Sequence, residues 1–122
     1  MRVLVTGGSR GIGKACVELF ASEGHEVIFF YRSSHTAARE LEAATGAKAV
    51  MCDISSADDV RGAMTDVGDV DVLINNAGVS RFNFFDSISD SEWREVIDTN
   101  LSGAFYVSRE AARSMIAKKT DG

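Results

Sequence analysis

Short apolar runs alternate with longer amphipathic stretches along the chain, and this alternation predicts an α/β fold. Four runs are rich in β-branched and aromatic residues and are too short for helices. Such runs are typical of strands that are buried on both faces of a parallel sheet. The predicted strands lie at residues 2–6, 26–31, 48–52 and 70–75.

The stretches between and after these strands carry apolar residues at helical spacing. In the first stretch we expect Ile12, Cys16, Leu19 and Phe20 to form the buried face of a helix. The predicted helices lie at residues 12–23, 36–46, 55–68, 89–101 and about 102–118.

Hydroxyl residues mark the starts of the later helices, as capping requires. Ser34 or Thr36 is expected to cap the second helix. Serines at the start of the third helix precede two aspartates, whose negative charges are favoured there by the helix dipole. Ser89 and Glu92 have the spacing of a capping box for the fourth helix.

Strands that alternate with helices form βαβ units and a parallel sheet. With right-handed crossovers, the order of elements predicts an open, doubly wound sheet of Rossmann type in spatial order 3-2-1-4. We expect residues 1–122 to form a single domain.

The composition and net charge of the chain limit the kinds of partner that it is expected to bind. The chain has 122 residues, of which 45% are hydrophobic and 25% charged, and its net charge of −5 argues against binding nucleic acid. No apolar run approaches the roughly 20 residues that span a bilayer, so we expect no membrane association. No basic and apolar leader precedes the first strand, which favours a cytoplasmic location.

Cys16 and Cys52 are too far apart for a zinc site, so we expect buried thiols and no metal.

The segment GSRGIGKA at residues 8–15 fits two phosphate-binding patterns. It matches the P-loop pattern except that Ala15 stands where a hydroxyl should hold Mg²⁺. An alanine cannot coordinate a cation, and the fourth strand does not end in an acidic second ligand, which argues against a P-loop. The alternative is a dinucleotide fold, in which Gly7, Gly11 and Gly13 make a tight turn between strand and helix. Their spacing, T-G-x-x-x-G-x-G, departs from G-x-G-x-x-G.

The end of the second strand favours NADP over NAD. An NAD site usually has an acidic residue about 20 positions after the glycines, but this chain has Tyr31, Arg32 and Ser33 there. A guanidinium at Arg32 suits a ribose 2′-phosphate, and Arg10 within the glycine turn can reach the same group. Ser33 and Ser34 are expected to add hydroxyls there. Each arginine taken alone is equally well explained as a solvated surface charge.

Four segments resemble motifs of the short-chain dehydrogenase/reductase family, in the family's order and spacing. They are TGGSRGIG at residues 6–13, CDI at 52–54, NNAG at 75–78 and DTNLSG at 98–103. Within the family, the chain is most similar to 3-oxoacyl-[acyl-carrier-protein] reductases, which implies reduction of a 3-oxoacyl thioester or a similar ketone.

The resemblance implies cofactor contacts at matching positions. These are Ser9, Arg10 and Ile12 at the pyrophosphate and ribose, Arg32 at the 2′-phosphate, Asp53 and Ile54 at the adenine, and Asn76, Ala77 and Gly78 at the adenosine ribose and the middle of the cofactor.

Further roles follow from the same resemblance. Thr6 and Asn75 are expected to brace the first and fourth strands. Asn100 matches the family's catalytic asparagine, whose backbone holds a water in a proton relay. A helix end or kink explains an asparagine at this position equally well.

The family's proton donor is a tyrosine in Tyr-x-x-x-Lys, accompanied by a serine, and this pattern does not occur in the chain. Tyr31 is followed four positions later by His35, and Tyr106 by Glu110. The sequence therefore resembles the cofactor-binding half of a reductase and is expected to be inactive alone. Three explanations stay open: a fragment of a reductase, a nucleotide-binding module without catalysis, or a half that a partner chain completes.

Two apolar surfaces predict contacts beyond the chain itself. The fourth strand lies at a sheet edge, and the last helix is apolar on more than one face, so we expect a homo-oligomer. In the segment RFNFFDS, Phe82, Phe84 and Phe85 either cover the end of the sheet or favour an apolar acyl substrate.

Overall fold

A computed structural model describes residues 1–119. This part of the chain contains four β-strands and five α-helices, with a 3₁₀ turn at Phe85–Ser87 and a π-helical segment at Asp98–Gly103. In chain order they are β1 (Arg2–Thr6), α1 (Gly11–Ser22), β2 (Glu26–Tyr31), α2 (His35–Thr45), β3 (Lys48–Met51), α3 (Ala57–Val67), β4 (Val72–Ile74), α4 (Asp90–Ile97) and α5 (Ala104–Lys118).

The four strands form one parallel sheet in the order β3-β2-β1-β4, which confirms the predicted topology. Val3 of β1 lies opposite Val27 of β2 on one side and Val72 of β4 on the other. The carboxyl ends of all four strands therefore meet at one edge, where the loops that follow them come together.

Helices cover both faces of the sheet, so alternate strand residues enter two separate cores. Leu4 and Phe30 pack towards α3 and α5, whereas Val5 and Phe29 pack towards α1 and α2. All four side chains are fully buried or nearly so. Burying a side chain of this size contributes roughly 1.5–3 kcal/mol, which is why the strands read as continuous apolar runs.

Strand β4 is shorter than predicted because side-chain oxygens take the place of ladder partners at its two ends. The backbone N–H of Val70 donates to Ser114 Oγ at 3.0 Å, while that of Asp71 still donates to Arg2 O of β1 at 3.0 Å. At the other end, the N–H groups of Asn76 and Ala77 both donate to the Thr6 hydroxyl instead of continuing the ladder.

The predicted buried face of α1 is partly wrong. Ile12 and Leu19 are exposed, and the helix instead buries Gly13 and Val17, with Cys16 half-buried. Since β1 and β2 pass close beneath the start of α1, the smallest side chains face the sheet and Ile12 is turned outward.

Two further predictions about helix ends have different outcomes. Ser89 and Glu92 form the predicted capping box, and the backbone bond that Glu92 accepts from Ser89 lowers the pKa of this carboxyl. Ser34 precedes α2, but its hydroxyl makes no capping hydrogen bond. Ser56 caps α3 through Asp59 N.

The predicted boundary between the last two helices is wrong. The π-helical segment continues α4 into α5 without a break in the helical backbone. Gly103 at its end packs on Ile54, where an added Cβ would lie 2.8 Å from Ile54 Cγ1. None of the helices within residues 1–119 is long and apolar enough to cross a bilayer.

We expect Ser114→Ala to lower the free energy of unfolding by about 1–2 kcal/mol, because it leaves the N–H of the buried residue Val70 without a partner. Urea denaturation measures this change. Ser80→Ala is the control, since Ser80 is exposed and makes no hydrogen bond within residues 1–119. Equal unfolding free energies for the two variants would contradict the role of Ser114.

Candidate functional site

A cavity of about 420 Å³ opens at the carboxyl ends of the strands. Its position, where the strand order reverses, is the usual ligand site of open α/β sheets, and its volume is in the range of ligand pockets. Twelve of the residues predicted at the cofactor line it: Gly7, Ser9, Arg10, Gly11, Tyr31, Arg32, Ser33, Asp53, Ile54, Asn76, Ala77 and Gly78. Ile12, Gly13 and Asn100 do not line it.

The turn between β1 and α1 has no room for side chains at Gly7, Gly8 and Gly13. A Cβ on Gly13 would lie 2.2 Å from Gly7 O, and a Cβ on Gly7, whose φ is +65°, would lie 2.9 Å from Ala77 Cα. Gly8 was missed by the sequence analysis, although a Cβ there would lie 2.5 Å from Phe29 Cβ. Glycine is required at position 8 because the backbone there packs against Phe29 of the buried strand β2. The spacing of the glycines in the sequence does not reveal this contact.

Asn76 fixes this turn to the end of β4. Its Nδ2 donates to the carbonyls of Thr6 and Gly7, each at 3.1 Å, while the Thr6 hydroxyl accepts from the Asn76 and Ala77 N–H groups. Thr6 therefore braces β1 against β4 as expected. Asn75 instead donates to Ser108 Oγ on α5 at 2.7 Å, so the residue that braces the turn is Asn76.

Two arginines give the cavity unpaired positive charge. Arg10 and Arg32 both line it, and neither guanidinium group has an ion pair or a hydrogen bond within residues 1–119. Arg81 at the opposite wall is different, because it binds Glu95 through both Nε and Nη2. These hydrogen bonds and the charge of Glu95 raise the pKa of Arg81. Only the Arg10 and Arg32 end of the cavity is therefore prepared for an external anion.

Asp53 at the end of β3 keeps one carboxylate oxygen available. Its Oδ1 accepts from Ser55 N at 3.1 Å and from Ser55 Oγ at 2.7 Å, and its own N–H donates to Asp59 Oδ2. Oδ2 of Asp53 accepts no hydrogen bond from residues 1–119, and Ile54 provides an apolar neighbour. This segment can therefore receive an amino group beside an apolar ring.

Cys52 lines the same part of the cavity but is not a nucleophile. Burial, followed by the charges of Asp59 and Asp53, raises the pKa of this thiol to about 12. It is therefore neutral at physiological pH and fills space. Within residues 1–119, no group of three or more His, Cys, Asp or Glu side chains is arranged to hold a metal ion.

Asn100 lies in the π-helical segment and ties it to the loop after β4. Its Oδ1 accepts from Val79 N and its Nδ2 donates to Val79 O, both at 2.8 Å. Both polar atoms of the amide therefore bind this stretch of backbone. Irregular helical turns of this kind are frequent at functional sites. The catalytic role that the family resemblance implies for the Asn100 backbone stays a prediction.

Several cavity residues were not predicted. They are Phe30, Cys52, Val79, Arg81, Glu95 and Thr99. Cys52 adjoins predicted residues and could have been found by extending that segment. Glu95 and Thr99 come from α4 and the π-helical segment, and no local pattern signals that these turns face the cavity.

The aromatic segment after β4 does not cover the sheet. Phe82, Phe84 and Phe85 are each at least 81% exposed, so the interpretation that they close the sheet end is wrong. They follow closely after Arg81 in the sequence, and Arg81 lines the cavity.

The family model for short chain dehydrogenase matches residues 1–122. The chain belongs to the short-chain dehydrogenase family. Curated members that it matches include the 3-oxoacyl-[acyl-carrier-protein] reductases MabA of Mycobacterium avium and FabG of Escherichia coli K12. Identity to MabA is 42% over 121 residues, covering 96% of this chain and 45% of the relative. Identity to FabG is 36% over 122 residues, covering 95% and 50%.

A solved short-chain dehydrogenase-like structure agrees with the fold in detail. BdcA in complex with NADPH superposes with a TM-score of 0.88 at 36% identity, covering 93% of this chain and 46% of that one. The chain thus spans about half the length of the family members that it matches.

We expect Gly13→Ala to lower the melting temperature and weaken nucleotide binding, because the new Cβ would collide with Gly7 O and force the turn apart. A cost of about 1–3 kcal/mol in unfolding free energy is typical of such overpacking. Gly62→Ala in α3 is the matched control, since its Cβ meets open space and alanine favours helix. Similar melting temperatures for the two variants would contradict a close-packed turn.

Proposed function

We propose that the cavity binds NADP(H) and that residues 1–122 supply the cofactor-binding part of a reductase of 3-oxoacyl thioesters or similar ketones, inactive by itself. The unpaired guanidinium groups of Arg10 and Arg32 carry the cofactor part of this proposal. The names of the relatives MabA and FabG support the substrate part.

The β1–α1 turn suits a pyrophosphate. The first N–H groups of an α-helix have no partner within the helix, and no side chain caps α1 at Arg10. With glycine at positions 7, 8, 11 and 13, a phosphate can approach the bare backbone, where the helix dipole favours negative charge. Ser9 lies in the same turn and is nearly buried.

The adenosine end suits a ribose 2′-phosphate. Arg32 follows β2 directly, where an acidic residue would repel a phosphate and bind a ribose hydroxyl instead. An arginine without a protein partner keeps all its donors for planar, charge-assisted hydrogen bonds. The neighbouring residue Ser33 adds a hydroxyl, and the free Oδ2 of Asp53 is suited to the adenine amino group.

NADPH supplies a hydride when bound, and the family resemblance assigns the proton to a tyrosine–lysine pair that this sequence does not contain. The role of this chain in the proposed reaction is therefore to hold the cofactor and to form one wall of the reaction site. With its side chain held by Val79, Asn100 would take part through its backbone, which lies in the π-helical segment.

Exposed apolar side chains support the substrate and assembly parts of the proposal. Phe82, Phe84 and Phe85 offer an apolar surface beside the cavity, which suits an acyl chain. Phe105 and Ile116 of α5 are also exposed, which supports the expected homo-oligomer. The expected cytoplasmic location stays a prediction.

We expect Arg32→Asp to weaken NADP⁺ binding by roughly 10- to 100-fold, because charged hydrogen bonds of this kind are each worth about 1.5–3 kcal/mol. NAD⁺ binding should hold or improve, since a carboxylate can bind the free ribose hydroxyl. Isothermal titration with both nucleotides measures the change. Arg39→Asp alters the net charge equally but lies further along α2 beside Glu42. Unchanged NADP⁺ affinity in Arg32→Asp would remove the case for a 2′-phosphate site.

We expect this chain to oxidise no NADPH in the presence of an acetoacetyl thioester, because neither tyrosine is followed by lysine four positions later. The loss of NADPH absorbance measures turnover, with an intact short-chain reductase as the positive control. Binding without turnover also matches a nucleotide-binding module, the alternative that the tyrosine spacing favours. Turnover by the chain itself would show that another group donates the proton.

A further inference from the structure

The turn that presents Arg32 is closed at its base by two side chains. The hydroxyl of Tyr31 lies 3.2 Å from Nδ1 of His35, and the two rings meet edge to face with centroids 5.4 Å apart. The backbone N–H of His35 also donates to Ser33 O at 2.9 Å. We call this pair of side chains the Tyr31–His35 clasp.

The two members of the clasp differ in how firmly they are held. Tyr31 is the last residue of β2 and is 8% exposed, in the core between the sheet and helices α1 and α2. Its carbonyl accepts from Cys52 N at 2.9 Å. His35 is exposed and begins α2. The clasp therefore ties a surface helix start to a fixed point in the core.

The side chains within the turn do not order it themselves. Arg32, Ser33 and Ser34 make no side-chain hydrogen bond or ion pair within residues 1–119, and Ser34 leaves the start of α2 uncapped. The shape of the turn is therefore set by its backbone bonds and by the clasp. A turn held in advance binds its ligand at a smaller entropic cost than one that must be ordered by the ligand.

We propose that the Tyr31–His35 clasp sets the selectivity of the site for NADP(H) over NAD(H) by positioning Arg32 and Ser33. This inference rests on the proposed NADP(H) site. The two cofactors differ only in the 2′-phosphate, and the clasp lies at the base of the turn that would meet this group. The pyrophosphate region is on a separate turn, which Asn76 holds. Loosening the clasp should therefore affect NADP⁺ more than NAD⁺.

The chemistry of the pair does not depend on one imidazole tautomer. A phenol hydroxyl can donate to an unprotonated Nδ1 or accept from an Nδ1–H. An asparagine at position 35 retains a polar group near the place of Nδ1, whereas leucine retains only bulk. This difference separates a role of the hydrogen bond from a role of packing.

The test compares dissociation constants of NADP⁺ and NAD⁺ by titration for the unchanged chain, Tyr31→Phe, His35→Leu and His35→Asn. We expect the preference for NADP⁺ to fall about three- to tenfold in Tyr31→Phe and His35→Leu, as for loss of one hydrogen bond. His35→Asn should keep most of the preference. The double variant Tyr31→Phe/His35→Leu should lose no more than either single variant, since all three break the same contact.

His25→Leu is the matched control, because His25 is also a histidine beside an aromatic ring, Phe20, but lies between α1 and β2. The preference of the His25→Leu variant for NADP⁺ over NAD⁺ should equal that of the unchanged chain. An unchanged preference in Tyr31→Phe and His35→Leu, or an equal loss for the two nucleotides, would overturn the clasp and leave the NADP(H) site standing. If the unchanged chain binds both nucleotides equally, the proposed function fails and the clasp with it. Tyr31→Phe keeps the buried ring, so it provides the readout if His35→Leu does not fold.

Discussion

The close approach of backbone to backbone at the β1–α1 turn is the constraint on which the rest of the structure depends. Gly13 rests on the Gly7 carbonyl and Gly8 on the ring of Phe29, at distances that no Cβ tolerates. Because α1 sits this low on the sheet, its first N–H groups point into the space above the strand ends. The same closeness lets Asn76 reach across from β4 and bond two carbonyls of the turn. The proposed anion site and the packing of α1 on the sheet thus depend on the same close contact.

Charge then divides the cavity into two ends with different chemistry. Arg10 and Arg32 have no partner in the described part of the chain, whereas Arg81 is held by Glu95. An unpaired guanidinium is stable here only because it remains hydrated, so an anionic ligand replaces water rather than a carboxylate. The paired arginine instead fixes the loop after β4 to α4, at the end of the cavity that borders the exposed aromatic segment.

The centre of the sheet could be predicted from the sequence because β1 and β2 are buried on both faces, which leaves continuous apolar runs. The edge strands β3 and β4 are only partly buried, and their short apolar runs between helices gave the prediction. The glycine turn and Arg32 could be found because they lie next to strand ends. The face of α1 could not, since Ile12 is turned outward by backbone packing that hydrophobic spacing does not describe. The continuity of α4 and α5 depends on a π-helical segment. Asn100 indicates from the sequence that the helix is irregular here, but it does not indicate that the irregularity is a π-turn.

Asn100 links these observations to chemistry in a specific way. An asparagine inside a helix usually competes with the helix for its own backbone bonds, but both polar atoms of Asn100 are occupied by Val79, 21 positions earlier. The side chain therefore connects the loop after β4 to the π-helical segment. The proton-relay role proposed for this residue would instead use its main chain, in a stretch where the π-turn has displaced the hydrogen bonds from the regular helical ladder.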